Sequence, residues 1–450
     1  MRQKIAIIGS GISGLGAAYL LSPHHDVTIY EADHRPGGHS HTVDVQLDGQ
    51  RFGVDTGFLV FNERTYPLLC RLFGHLKVPV VKSDMSFSVK MAQAGLEWAG
   101  TNLDSVFAQR RNLFKPAFWG MLRDILRFNK GATRDLENPS LSEISLGDYL
   151  DQHGYGQAFR HDYLLPMAAA IWSCPTEQML AYPFQTFVRF CHNHGLLQIM
   201  NRPQWMTVAG GSRNYVSMLL DGIRSHGGQI KLETPVTGIK RSAEGVVVSS
   251  SEGHQAYEQM IMACHSDQAL KILGEEASPH EKTFLGAIQY QANRAVLHTD
   301  TALLPINPKT WAAWNYASPG GHEKQIGQRP VSVSYLLNKL QPLPTDTPVM
   351  VTLNPWHEPD PARTFRQIHY AHPVFDGPAI AAQDSLKKLS GFNRTFYAGA
   401  WMGYGFHEDG FASAVRAASQ LAPLPDWILG PQPQLNQIAL NMPMPATVNP

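Results

Sequence analysis

Three glycines and one carboxylate near the N-terminus have the types and spacing needed to hold phosphate and sugar. Gly9, Gly11 and Gly14 form a Gly-x-Gly-x-x-Gly run, and Glu31 follows downstream. Gly9 allows a tight turn. Gly11 lets the backbone approach a pyrophosphate without a Cβ in the way, and Gly14 lets a helix pack close on a strand. Ile12 and Ser13 sit at the start of that helix, whose N-terminal amides face the phosphate charge. Glu31 can accept both hydrogen bonds of a ribose diol. The elements that position these residues are legible around them. Residues 4–8 (KIAII) are an apolar run of strand length, residues 15–21 (LGAAYLL) a helix of small and apolar residues, and residues 26–30 (DVTIY) a second strand ending at the acid. Strand, glycine turn, helix, strand, acid predicts a nucleotide-binding α/β fold.

The whole chain bounds this reading. At 450 residues it is long enough for two domains, or for a nucleotide domain with an inserted second one. The 37 basic and 37 acidic side chains cancel, which argues against nucleic acid as a partner and against a general electrostatic grip on an anionic membrane. Cys70, Cys174, Cys191 and Cys264 form no CxxC pair and suggest no disulfide framework, so a reducing cytoplasm fits best. The first strand begins almost at once, which leaves no room for a signal peptide. No apolar run approaches the roughly eighteen residues of a spanning helix. His369, His372 and His357 lack ligand spacing, and no metal is expected.

Further along, residues 43–52 alternate apolar and polar residues around Asp48-Gly49, a β-hairpin signal. Residues 112–130 read as a basic amphipathic helix broken near Pro116, either packed on the second domain or lying on a membrane surface as a peripheral contact. Residues 163–172 are apolar all round and must be buried, as core or as the wall of an apolar cavity. Nucleotide-fold patterning returns from about 205 to 275. Residues 331–336 and 349–353 have the period-two character of strands. The alternation predicts interleaved domains: 1–80, 205–275 and 390–423 for the nucleotide, 81–204 and 276–389 for the substrate. The proline-rich stretch 424–450 is expected to be a surface or disordered tail.

After the acid comes Ala32, then Arg35-Pro36-Gly37-Gly38-His39, and later Val54-Asp55-Thr56-Gly57. Near the C-terminus a strand ends in Gly399-Ala400. A loop follows through Trp401, Tyr404 and His407, then a helix that opens with Gly410-Phe411-Ala412. Together these segments resemble the amine-oxidase/phytoene-desaturase superfamily of FAD enzymes. The resemblance implies a Rossmann-like FAD-binding domain of the glutathione-reductase type with an interleaved α+β substrate domain. It implies FAD along Ala32, Gly37, Gly38 and His39, with His39 where the family often has arginine. Thr56 and Gly57 would pass the flavin, Val236 would meet the adenine, and Gly399, Ala400, Gly410, Phe411 and Ala412 would close the site. Trp401 stands where amine oxidases usually have an acid. The loop has no cysteine, so the FAD should be noncovalent.

The string from Gly399 to Gly410, with residues 311–316 and 369–376, is similar to a narrower group. These are bacterial flavin-containing amine-oxidase-like proteins related to the flavin domain of plant cyclopropane fatty acid synthases. That likeness points to an apolar acyl substrate and to oxygen or another electron acceptor. The expectation is an FAD-dependent oxidoreductase that removes a hydride from such a substrate, with His407, Tyr404 and Trp401 as candidate catalytic residues. Residues 163–172, with Trp311 and Trp314, are the expected lining. An amine oxidase is the alternative enzyme, a redox-neutral flavin isomerase the third. Rab escort and GDP-dissociation-inhibitor proteins, which carry prenyl tails on a related fold, supply a non-catalytic rival.

Overall fold

A computed structural model describes residues 1–198, 202–319 and 331–438. The Lys4–Ile8 strand lies at the centre of a parallel five-stranded sheet. On one side it pairs with Asp26–Tyr30, which pairs with Gln229–Lys231. On the other it pairs with Gln259–Met262, which pairs with Thr395–Tyr397. The sheet therefore draws strands from both ends and the middle of the chain. Its central strand is buried on both faces, as its unbroken apolar sequence requires. The first helix, Ile12–Leu21, packs on the C-terminal helix, His407–Ser419. A Cβ at Gly16 would stand 2.7 Å from the Phe411 ring, so the small residue sets how close these helices come.

A second sheet has seven strands in the order Thr364–Pro373, Tyr290–His298, Met350–Leu353, Ser332–Leu336, Trp314–Ser318, Phe87–Met91 and Leu96–Ala99. Over it lie the helices between residues 116 and 193, around an aromatic core that includes Phe128, Phe159, Phe184, Phe187 and Phe190. The hairpin is present as Thr42–Leu47 against Gln50–Asp55, turning at Asp48 and Gly49, both with positive φ.

Two domain bounds need correction, while the amphipathic stretch is interrupted where expected: the turn Arg110–Phe114 ends before an extended Lys115, and Pro116 begins a longer helix. The helix runs Pro116–Asp135, and proline at its first position gives up only an amide that has no intrahelical acceptor. The 80/81 boundary falls inside the Pro79–Ser83 strand, which pairs with Trp205–Val208. Helices Pro279–Gly286 and Gly377–Leu389, assigned to the substrate part, bury Leu285, Ala379 and Leu386 in one core with Met260 and Tyr397 of the nucleotide sheet. The described part of the tail, residues 424–438, is mostly exposed or half-buried, with two apolar anchors. Ile428 and Leu435 are buried, and Asn436–Gln437 pairs with Pro79 and Val80. Residues 439–450 lie outside the described residues.

Candidate flavin and substrate site

The glycine turn joins the first strand to the first helix. Gly9 adopts φ +106° and donates its amide to Tyr30 O at 2.8 Å. A Cβ at Gly14 would overlap the Gly9 carbonyl. A Cβ at Gly11 would meet nothing within 4 Å, so the space before the turn is open. Gly11 is the N-cap with no side-chain cap, and the first bond into the helix is Leu15 N–H to Gly11 O. The amides of Ile12, Ser13 and Gly14 thus have no intrahelical acceptor at the positive end of the helix.

Three further segments close on this turn. Gly38 backs onto Gly11: a Cβ there would lie 3.1 Å from Gly11 Cα. Arg35 Nη2 donates to Gly38 O at 2.9 Å, while Arg35 Nη1 and His39 Nε2 are buried without a protein partner. Thr56 donates its hydroxyl to His41 O at 3.0 Å, and Gly57 passes so close under His39 that a Cβ would overlap His39 O. From the C-terminal helix, Gly410 O accepts the Ser13 hydroxyl at 2.9 Å and the Ser413 hydroxyl at 2.6 Å. Ser413 Oγ in turn accepts the Gly399 amide at 2.8 Å, fixing the strand end that precedes Ala400. Phe411 is fully buried against the first helix, with Ala412 beside it.

Glu31 is already engaged by protein. Its Oε2 accepts from the Ser10 amide (2.9 Å) and hydroxyl (2.5 Å), and its Oε1 from the Asp33 amide at 2.9 Å. Ala32 is exposed beside it. The Thr234 amide donates to Glu31 O at 2.8 Å, which brings the strand beginning at Val236 next to the acid. An open glycine turn, uncapped helix amides, an unpaired guanidinium nitrogen and an anchored carboxylate fit a dinucleotide's pyrophosphate and ribose.

The three candidate catalytic residues diverge. His407 begins the C-terminal helix, and its ring stacks on Phe58 at 3.8 Å between centroids. Its Nε2 lies 2.9 Å from Ser40 Oγ and 3.0 Å from Tyr215 OH, and those two oxygens also bond each other. Burial drives the His407 pKa down to about 3, so the imidazole is neutral at ordinary pH. Tyr404 turns to the aromatic core, 5.6 Å from the Phe190 ring, and Phe406 stacks on Phe190 at 5.0 Å. Trp401 turns the opposite way. It is buried behind the loop and donates its indole N–H to Cys264 O at 3.0 Å, a packing contact. Trp311 leaves the expected lining as well: its indole bonds Pro305 O and it packs on Leu304, Leu336 and Met350. Trp314 stays between the two large cores.

Sequence reasoning missed Phe58, Ser40 and Tyr215 around His407. It also missed the ring cluster at His39, whose imidazole stacks on Tyr370 at 4.8 Å and lies 5.4 Å from His372 and 6.3 Å from His265. Burial, and then the neighbouring His372 and His265, hold His39 well below the usual histidine range. Among the described residues no group of three His, Cys, Asp or Glu is placed to hold a metal ion. The two carboxylates in the first turn of the His407–Ser419 helix are committed to backbone. Glu408 accepts the Leu68 and Leu69 amides, both at 2.9 Å, and Asp409 accepts the Phe406 amide at 3.0 Å. Burial raises their pKa values to about 7 and about 6.

The family described as flavin containing amine oxidoreductase matches residues 12–304, well over half the chain. The chain belongs to that family. Its members are FAD-dependent oxidoreductases, and the cofactor of this chain is FAD. The (S)-6-hydroxynicotine oxidase of Paenarthrobacter nicotinovorans is 25% identical over 288 residues, 61% of this chain and 63% of that protein. Cyclohexylamine oxidase from Brevibacterium oxydans superposes with a TM-score of 0.66 at 16% identity, covering 94% of this chain and 100% of the other. A CLA-producing fatty acid isomerase from P. acnes superposes with a TM-score of 0.64 at 13% identity, covering 93% and 98%. At such identities these structures share the fold. The chain spans less than two thirds of the length of the curated relatives it matches.

Proposed function

We propose that this flavoenzyme oxidises an apolar, fatty-acyl-like substrate held against the wall that the C-terminal loop forms with the aromatic core, at the domain interface, and passes the electrons to oxygen or another acceptor. The nucleotide sheet is read as the Rossmann-like domain of the glutathione-reductase type. In this reading the first-helix amides, Arg35 and His39 take the pyrophosphate, Glu31 orients the ribose, and Gly410–Ala412 face the flavin. When bound, FAD supplies the two-electron acceptor that side chains lack. The chain's own share is orientation and exclusion of water. Tyr404 and Phe406 would form one wall with Phe190, and neutral His407 would hold a hydrogen-bonded polar edge beside it without adding charge.

The observation that carries the acyl reading is the commitment of both carboxylates at the start of the His407–Ser419 helix, Glu408 and Asp409, to backbone amides. That leaves neither one to pair with an ammonium, and an unpaired buried charge is costly. The amine reading has its own support, since two of the similar proteins are by name a hydroxynicotine oxidase and a cyclohexylamine oxidase. Anaerobic flavin bleaching with fatty-acyl lipids of graded length, beside a panel of amines, separates the two. Each methylene buried is worth about 0.8 kcal/mol, so the specificity constant should climb with chain length until the cavity fills. Rapid bleaching by short amines with no response to any lipid would replace the acyl reading with an amine oxidase.

A further inference from the structure

One face of the molecule gathers most of its exposed apolar bulk. Of the eleven large apolar side chains exposed among the described residues, Leu103, Leu113, Phe114, Trp119 and Leu126 fall within one short stretch. A sixth, Ile306, is tied to it: the Ile306 amide bonds Glu97, the Asn307 side chain reaches Ala108 O, and Lys309 pairs with Asp104 at 2.9 Å. Exposed apolar residues scattered singly need no explanation, but a cluster does. Phe114 is 86% exposed, Ile306 83% and Leu103 77%.

The helix Pro116–Asp135 shows how the face is built. Phe118, Met121, Phe128 and Ala132 point inward to the aromatic core, while Trp119, Arg123, Leu126, Arg127 and Lys130 form the opposite, exposed stripe. Apolar and cationic residues therefore alternate on the outer face. Arg110, Arg111 and Lys115 extend it along the preceding turn. The acids here offset only part of this charge. Asp104 is shared between Arg110 and Lys309, and buried Asp124 between Arg123 and Arg127, while Arg111, Lys115 and Lys130 have no acid partner in these pairs. In a chain whose formal charge is zero, this is a local cationic excess on an apolar surface. Long basic side chains can lay their stems along lipid and keep their heads at the phosphates.

We propose that this face docks on an anionic lipid surface, with Phe114, Trp119 and Leu126 entering the headgroup boundary and Arg111, Arg123 and Lys130 meeting lipid phosphate. The proposal is independent of substrate class, because an amine-oxidising chain would carry the same face. The test is co-sedimentation of the full flavin-loaded chain with vesicles of phosphatidylcholine, with and without phosphatidylglycerol. Binding should be at least about tenfold stronger to the anionic vesicles and should weaken as salt is raised. The pairs Phe114→Ser/Leu126→Ser and Arg123→Glu/Lys130→Glu should each lower it by about tenfold or more, with flavin content and thermal midpoint unchanged. Equal affinity for neutral and anionic vesicles, no sedimentation with either, or variants that bind like the parent would overturn the proposal. So would a dimer in sedimentation velocity that both variant pairs dissociate, since the face would then serve a second copy of this chain.

Discussion

Ser13 and Gly410 are 397 residues apart in sequence, and the Ser13 hydroxyl donates to the Gly410 carbonyl at 2.9 Å. The bond locks the first turns of two helices together. A Cβ on Gly410 would press on Ile12 at 2.8 Å and on Ser13 Oγ at 3.1 Å. Two positive helix ends thus converge on one region, a preorganised field for the anionic parts of a dinucleotide.

The glycines of the turn should separate fold from cofactor binding. Gly14→Ala places a methyl on the Gly9 carbonyl, where backbone must move, and should cost at least about 1–3 kcal/mol of stability. Gly11→Ala meets open space at an ordinary φ of −66° and should change stability by less than about 0.5 kcal/mol. It should nevertheless weaken FAD measurably, because the methyl fills the space before the turn. Thermal melts of the apoprotein beside flavin titrations check both. Equal loss of stability in the two variants would contradict the assignment of that open space to the cofactor.

Glu31→Ala should reduce both properties. It removes the acceptor of the buried Ser10 amide as well as the proposed ribose ligand. A lost hydrogen bond to a charged group is worth about 1.5–3 kcal/mol, which lowers flavin affinity tenfold or more. Equilibrium fluorescence titration reads the affinity. Lower stability with unchanged affinity would leave Glu31 a structural residue only.

Ser40, Tyr215 and His407 form a closed hydrogen-bonded set, so their effects should not add. Ser40→Ala and Tyr215→Phe should each cost about 0.5–1.5 kcal/mol. The double variant should show a coupling of about 0.5–3 kcal/mol. A double-mutant cycle by denaturant unfolding measures it, and strict additivity would mean that His407 is held by other contacts.

Stability should peak between about pH 6 and pH 7. Burial lowers His41, His194, His298 and His372 to about 4, and His407 to about 3. The unfolded chain protonates these groups near about 6.5. Their contribution is therefore full above that value and is lost as pH falls toward 4. Asp55 and Asp409, raised to about 6, and Glu408, raised to about 7, act in the opposite sense. They are protonated in the fold and ionised when unfolded, so their contribution is lost as pH rises through 6 to 7. The histidines outnumber the acids, and acidification below about pH 6 should destabilise the fold overall. Thermal midpoints across this range test the sign, and a midpoint still rising as pH falls to 5 would reverse it.

What could be read in the sequence was local. Gly9 to Gly14, the two strands beside them and the Asp48-Gly49 hairpin depend on neighbouring residues, and turn chemistry states them directly. The surroundings of His407 are not local. Phe58, Ser40 and Tyr215 reach it from three separate segments and carry no shared spacing. Trp401 and Trp311 were misleading for a related reason. An indole near a site is as well suited to packing with one satisfied N–H as to lining a cavity, and only its contacts decide. Pro116 was legible for a local reason: the residue before a proline leaves the helical region, as Lys115 does, and proline suits the first position of the helix that follows.

The most direct measurement is the flavin content of the purified chain. After acid precipitation, FAD should appear in the supernatant at about one per chain, because the proposed site offers hydrogen-bond donors and helix ends and the loop from Trp401 to Asp409 has no cysteine for a covalent link. A colourless protein that takes up no added FAD would contradict the account at its centre.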